Sequence, residues 1–125
     1  MRELIVTRRG PRPIGPYSQA IRAHGLIFVS GQIPIDPATH RLAPGGITEQ
    51  TNRAIENVAR VLEAAGSGLE RVVRCVVYLR AMDDFVAMNE AYARYFGDRP
   101  PARTAVAVAG LPQDSLVEIE ATALE

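Results

Sequence analysis

Pro101-Ala102-Arg103-Thr104-Ala105-Val106-Ala107-Val108-Ala109, then Gly110-Leu111-Pro112-Gln113-Asp114, then Val117-Glu118-Ile119-Glu120-Ala121-Thr122-Ala123 is the stretch that decides the reading of this chain. Two runs of β-branched and small apolar residues flank a connection marked by glycine and proline, the pattern of two strands joined by a loop. Side chains alternate along a strand, so Glu118 and Glu120 share one face while Val117, Ile119 and Ala121 take the other. Arg103 opens the first run. A guanidinium and a carboxylate on adjacent strands suit a small anionic substrate that needs a proton moved. An ordinary ion pair on a half-solvated sheet is the plainer alternative.

Working outward toward the N-terminus, Asp83 to Phe96 reads as a helix with Asp83 as N-cap and Gly97 as its stop. Phe85, Met88/Asn89, Tyr92 and Tyr95/Phe96 form its apolar stripe. Arg71 to Arg80 is a strand, with Val73, Cys75, Val77 and Leu79 on the face toward the helices. Ile47 to Ala65 is a longer helix with Thr48 as N-cap and Gly66 at the left-handed C′ position. Asp36 to Arg41 and Pro44-Gly45-Gly46 read as loop. Leu26 to Val29 is nearly all apolar and reads as a strand buried on both faces, ending at Ser30-Gly31-Gln32. It returns from a strand at Tyr17 to Ala23 through a tight His24-Gly25 turn. Arg8 to Pro16 is broken by prolines, and Leu4 to Thr7 is a short first strand.

The order is β-β-β-α-β-α-β-β. Two amphipathic helices cannot cover both faces of a six-stranded sheet, so the expected fold is a single α+β domain over 1–125, in two layers with both helices on one face of the sheet. The uncovered face, with its Val and Ala positions, calls for self-association.

At 125 residues, 47% apolar and 22% charged, the composition is that of a soluble globular domain with a core of its own. A net charge of zero gives no electrostatic case for nucleic acid or a membrane surface as partner. No apolar run is long enough for a membrane span, Met1-Arg2-Glu3-Leu4 does not resemble a signal-peptide core, and one cysteine fits a reducing cytoplasm. All 14 basic residues are arginine. With no lysine, chemistry through a lysine Schiff base is excluded.

His24 and His40 lie in turns without ligand spacing, and Cys75 lies inside a strand, so no metal site is expected. Cys75 reads as an inert core thiol. Gly45-Gly46 lacks the spacing and the lysine of a phosphate loop.

Three motifs in order, Ile14-Gly15-Pro16-Tyr17-Ser18-Gln19-Ala20, Val29-Ser30-Gly31-Gln32-Ile33-Pro34 and the Pro101–Ala121 stretch, resemble the signatures of the RidA family, the YjgF-like imine/enamine deaminases. The resemblance covers essentially the whole chain. It implies a chorismate-mutase-like fold with a mixed sheet, a homotrimer with inward-facing sheets, and ligand clefts between subunits. It also implies hydrolysis of reactive 2-imino acids and enamines, such as 2-iminobutanoate and 2-iminopropanoate (from 2-aminoacrylate), to 2-oxo acids and ammonia without a cofactor. Such a reaction needs a cation for the substrate carboxylate, a base for water and an acid for the leaving nitrogen. Arg103 meets the first need, and one carboxyl group of raised pKa meets the other two in turn. The resemblance points to Glu118 as that carboxyl, which alternation alone does not separate from Glu120. By the same resemblance Tyr17 and Ser30 offer hydroxyls, Gly31 and Ala105 backbone groups, and Asn89 a side chain to the substrate. Ala105 stands where the family commonly has cysteine, so any role of that thiol is lost. Two other readings remain open at this point: a non-catalytic trimer that binds or senses small carboxylates, and a deaminase of a ring-derived or pyrimidine-pathway imine.

Overall fold

The computed structural model describes all 125 residues. In chain order the elements are β1 (Glu3–Ile5), β2 (Ala20–Ala23), β3 (Leu26–Gln32), β4 (Ile35–Asp36), β5 (Arg41–Leu42), α1 (Ile47–Ala64), β6 (Val72–Leu79), α2 (Phe85–Phe96), β7 (Ala102–Ala107) and β8 (Val117–Leu124). Six strands form one mixed sheet in the order β1-β2-β3-β8-β6-β7, antiparallel throughout except for the β6–β7 pair. That parallel pair needs a crossover, and α2 supplies it.

The alternation expected along β8 is the alternation found. Val117, Ile119, Ala121 and Ala123 are buried, and Glu118, Glu120 and Thr122 lie on the other face. Ile5, Ala20, Val29, Cys75, Val77 and Leu79 join the first set across neighbouring strands. α1 closes that face with Thr51, Ala54, Ile55, Val58, Val61 and Leu62, and α2 with Met88, Tyr92 and Phe96. No helix is long and apolar enough to cross a membrane. The opposite sheet face has no helix and exposes Leu4, Phe28, Val106 and Leu124.

Several local expectations are corrected. β7 and β8 are not neighbours, because β6 lies between them. β3 is not buried on both faces: Ile27 and Val29 are covered but Phe28 is exposed, as befits a strand whose second face has no covering layer. Val73 does not join Cys75. A register irregularity between Val72 and Arg74 turns Val72 inward and leaves Val73 exposed, since an extra residue reverses the alternation. Tyr17 is not in a strand. Pro16 and a tight Tyr17 N–H to Gly15 carbonyl contact of 2.9 Å keep it in a bend, and β2 starts at Ala20.

The segment read as loop around Asp36–Arg41 contains the short β4–β5 pair, turned at His40 with φ of 61°. Helix α1 is capped at Gly46, whose N–H donates to the Glu49 carboxylate at 2.8 Å, so Thr48 falls inside the first turn. The N-cap of α2 is Asp84 rather than Asp83, because a 3₁₀ turn at Met82–Asp84 precedes it. Gly66 (φ 80°) ends α1 and the His24-Gly25 turn (φ 51° and 77°) joins β2 to β3, both as expected.

Two buried amides tie the sheet to α1. Asn57 Nδ2 donates to the carbonyls of Ile33 (3.2 Å) and Ile35 (2.9 Å), and Gln50 Oε1 accepts from Leu116 N–H at 2.8 Å. Both fix the ends of strands that carry site residues. Asn57→Ala removes the amide donor from the Ile35 carbonyl and leaves the Ile33 carbonyl only the Ile35 N–H at 2.8 Å, and is expected to lower unfolding free energy by about 1–3 kcal/mol in urea denaturation. A midpoint unchanged from the parent would mean that water replaces the amide at no cost.

Candidate active site

Where β3 runs out, a register irregularity between Val29 and Gln32 breaks its pairing with β8. Ser30 and Gly31 occupy that break. Ser30 Oγ donates to the Ser18 carbonyl at 2.6 Å, and Ser30 N–H donates to the Gln19 carbonyl at 2.9 Å. The hydroxyl proton expected to meet a substrate is thus engaged in pinning the Tyr17–Gln19 segment to β3. The oxygen keeps a lone pair for a ligand.

Gly31 lies directly against Glu118. A Cβ built there would sit 2.0 Å from the Glu118 carboxylate oxygen Oε2 and 2.9 Å from its carboxyl carbon. Any side chain at 31 would evict the carboxylate from its place. Around the two residues, Ile14, Tyr17, Ser30, Ile33 and Pro112 complete a cavity of about 310 Å³. Ile14, Ile33 and Pro112 were not singled out from the sequence. The first two belong to the same short motifs as Tyr17 and Gly31, and that adjacency was the available signal. Tyr17 stands at the rim, its ring half exposed and its hydroxyl accepting Ile14 N–H at 3.4 Å.

Environment separates the two glutamates that alternation left equivalent. Glu118 lines the cavity and meets no donor in the chain. Burial raises its carboxyl above the usual range, and the negative charge of Glu120 on the same strand face raises it further. Glu120 receives a short hydrogen bond from the Tyr78 hydroxyl and lines no cavity. Glu118 is thus a cavity-facing carboxyl of raised pKa, and Glu120 a carboxylate tethered by Tyr78.

Arg103 lies elsewhere. Its register partner is Cys75, a helix-facing residue, so its side chain leaves the sheet on the opposite face from Glu118. The guanidinium carbon is 4.8 Å from the centre of the Tyr92 ring and 5.8 Å from that of Phe85, and Nη1 is 3.9 Å from Met88 Sδ. Burial raises the pKa of both Tyr92 and Cys75, so the groups behind Arg103 stay neutral. No carboxylate pairs with it. Arg103 is a cation stacked on an aromatic floor with no carboxylate of its own chain beside it. Asn89, next to Met88 on α2, buries an Oδ1 with no partner. Ala105 packs on the core from the edge strand β7.

Strand spacing puts Arg103 and Glu118 two strands apart, about 10 Å across the sheet and about 10 Å along it, on opposite faces. The expectation of both on adjacent strands is corrected, because β6 intervenes. The candidate residues therefore fall into two separate groups in one chain: Tyr17, Ser30, Gly31 and Glu118 around the cavity, and Asn89, Arg103 and Ala105 near the β7 edge.

His24 and His40 are in separate turns, Cys75 is fully buried, and no three His, Cys, Asp or Glu side chains converge. Gly45-Gly46 serves only to start α1.

The close contact at Gly31 gives a measurable expectation. Its backbone φ lies outside the left-handed region, so alanine is conformationally allowed. Gly31→Ala should fold with an unchanged melting temperature yet lose roughly 10²-fold in turnover, through displacement of one carboxylate. Equal losses of stability and activity would make Gly31 a packing residue only.

Comparison with known proteins gives a consistent picture. The family model described as endoribonuclease L-PSP matches residues 7–125. A RutC family protein of Pyrococcus horikoshii is 54% identical over 98% of each chain. The 2-iminobutanoate/2-iminopropanoate deaminase of Mus musculus is 44% identical over 100% of this chain and 93% of its own. Among solved structures, a putative endoribonuclease of Thermotoga maritima superposes with TM-score 0.96 at 50% identity, covering 100% of this chain and 98% of that one. TdcF of E. coli, solved with bound serine, gives 0.93 at 36% identity over 98% of both chains. The motifs, the sheet order and these likenesses together place the chain in the endoribonuclease L-PSP family, the YjgF/RidA proteins.

Proposed function

We propose that this protein hydrolyses reactive 2-imino acids and their enamine tautomers, 2-iminobutanoate and 2-iminopropanoate among them, to 2-oxo acids and ammonia. The observation that carries the reading is Glu118: a carboxyl group of raised pKa, free of internal partners, facing a small cavity with Gly31 at its back. The deaminase name of relatives such as the mouse protein supports the reaction class.

The active unit is a homotrimer in which the helix-free sheet faces meet. Each cleft joins the Glu118 half-site of one copy to the Arg103 half-site of another. Leu4, Phe28, Val106 and Leu124 supply the apolar surface for that contact. Arg103, with no internal anion, takes the substrate carboxylate in two parallel hydrogen bonds. Tyr17 and the backbone at Gly31 and Ala105 place the imine carbon over Glu118. An enamine first takes a proton from solvent at its β-carbon, which makes the same iminium cation as protonation of the imine.

With the imine nitrogen protonated, the Glu118 carboxylate removes a proton from water as the oxygen adds to the iminium carbon, and passes that proton to nitrogen, which becomes a cationic leaving group. As the C–N bond breaks, Glu118 takes the hydroxyl proton, the ketone forms, and ammonia leaves with the proton as ammonium. One carboxyl group serves both directions because its raised pKa brings the acid and base forms closer in energy near neutral pH.

Ammonia release from freshly generated 2-iminobutanoate tests the reaction. Release no faster than in buffer, with 2-oxobutanoate still bound, would make the protein a carboxylate-binding trimer instead. Sedimentation velocity tests the assembly: at micromolar concentration we expect three times the chain mass. A monomer that remains fully active would remove the shared cleft.

A further inference from the structure

The largest cavity of the chain is not the one that Glu118 lines. A space of about 470 Å³ opens between the N-terminal loop and the β4–β5 turn, lined by Arg8 and Arg12 from the loop and by His40 from the turn. We propose that this cavity is a binding site for a phosphate group, either inorganic phosphate or the phosphate of a small monoester.

Neither arginine at this cavity is neutralised by a carboxylate of its own chain. The ion pairs of the chain engage Arg9, Arg22, Arg53, Arg60 and Arg80 with glutamate or aspartate. Arg8 and Arg12 have no such partner, and no acidic residue lines the cavity they border. A chain whose formal charges cancel overall thus sets two unopposed guanidiniums at one concave site. Bringing like charges together without a counter-charge is unfavourable and is relieved when an anion enters.

The loop that carries them is fixed. Gln19 is 3% exposed and clamps it from below: its Oε1 accepts Thr7 N–H at 2.8 Å, and its Nε2 donates to the carbonyls of Thr7 (3.0 Å) and Pro11 (2.8 Å). Pro13 and Pro37 on the wall restrict the backbone further. Little ordering entropy is then spent when a ligand binds.

The donor set selects the class of anion. Two guanidinium forks and an imidazole, approaching from two sides, match several oxygens around a tetrahedral centre better than the two coplanar oxygens of a carboxylate. Val6 is the one large aliphatic side chain on the wall, so the body of a monoester bound here must be small and polar. Two arginines are too few for a nucleic-acid backbone, whose affinity grows with each phosphate neutralised.

The site is separate from the deaminase reading and stands or falls without it. Isothermal titration with inorganic phosphate and with glycerol 3-phosphate, at constant ionic strength in chloride, tests the proposal. We expect saturable binding of at least one of them, weakened at least tenfold in Arg8→Gln/Arg12→Gln. Neither arginine makes a hydrogen bond within the chain, so the double variant should fold as the parent does. The control Arg71→Gln/Arg94→Gln removes the same charge from exposed positions elsewhere and should bind as the parent does. Saturation by both probes assigns a site that admits monoesters; saturation by inorganic phosphate alone assigns the free ion. No saturation of the parent below about 10 mM, or equal weakening in both double variants, would overturn the site.

Discussion

Glu118→Gln is expected to lower kcat for 2-imino acid hydrolysis by about two or more orders of magnitude while substrate binding changes little. The amide keeps the shape of the side chain and one accepting oxygen but cannot carry a proton from water to nitrogen. Glu120→Gln should be mild by comparison, since that side chain is tethered by Tyr78 and lines no cavity. The direction of the Glu118 shift adds a pH signature. A base is active only when deprotonated, so the parent should lose activity as pH falls through a pKa lying above the ordinary carboxylate range, and that limb should vanish in Glu118→Gln. Stability should move the other way. A carboxyl group whose folded pKa is raised makes no unfavourable contribution below its unfolded pKa and an increasing one as pH rises through the folded value. Glu118→Gln should therefore be slightly more stable than the parent at neutral pH and lose that advantage in acid. If Glu120→Gln proves to be the inactive variant instead, the base is one step of the pleat further along β8.

Arg103→Ala should reduce turnover to below about a hundredth of the parent, and Arg103→Lys should not restore it, because a point charge does not reproduce two parallel hydrogen bonds. The more informative result comes from mixing. Glu118→Gln and Arg103→Ala should each be inactive alone, but in the proposed trimer every cleft would take its glutamate from one copy and its arginine from another. Co-refolding equal amounts should place a working residue of each kind in about a quarter of the clefts and restore activity in that proportion. Activity that stays absent in verified mixed trimers would mean that both residues serve a cleft from the same copy, against the strand order that separates them.

Periodicity made most of this fold legible. Val117 to Ala123, the stripe of α1 and the turn at His24-Gly25 fall where local pattern places them, because a two-residue or 3.6-residue repeat directly encodes which face is buried. Features of single residues or of pairing were not encoded that way. The irregularity at Val73 has no composition of its own, and β4 and β5 are two residues each, too short for any repeat to register. Strand order is a long-range property, so nothing between Ala102 and Ala123 announces that β6 will lie between β7 and β8. This is why Arg103 and Glu118 read as neighbours. The stripe of α2 was legible as core, but its service as an aromatic floor under Arg103 depends on the register of β7 with β6. Alternation left Glu118 and Glu120 equivalent and only the family resemblance favoured Glu118; their different surroundings come from Gly31 and Tyr78, which approach β8 from two different strands.

The position of β8 has a consequence for how the molecule comes into being. It is the last strand along the chain, yet it occupies the middle of the sheet, joining β1-β2-β3 to β6-β7. Until it is in place, β3 and β6 each present an open edge of unpaired amides and carbonyls, and the two halves have no hydrogen-bonded connection. Synthesis delivers the N-terminal hairpin and both helices first, so the nascent chain must wait with two reactive edges exposed. A ribosome stalled before Val117 would hold a species primed to pair with its neighbours rather than a partly finished enzyme. The strand that carries the candidate base is thus also the one whose arrival ends the period of greatest aggregation risk.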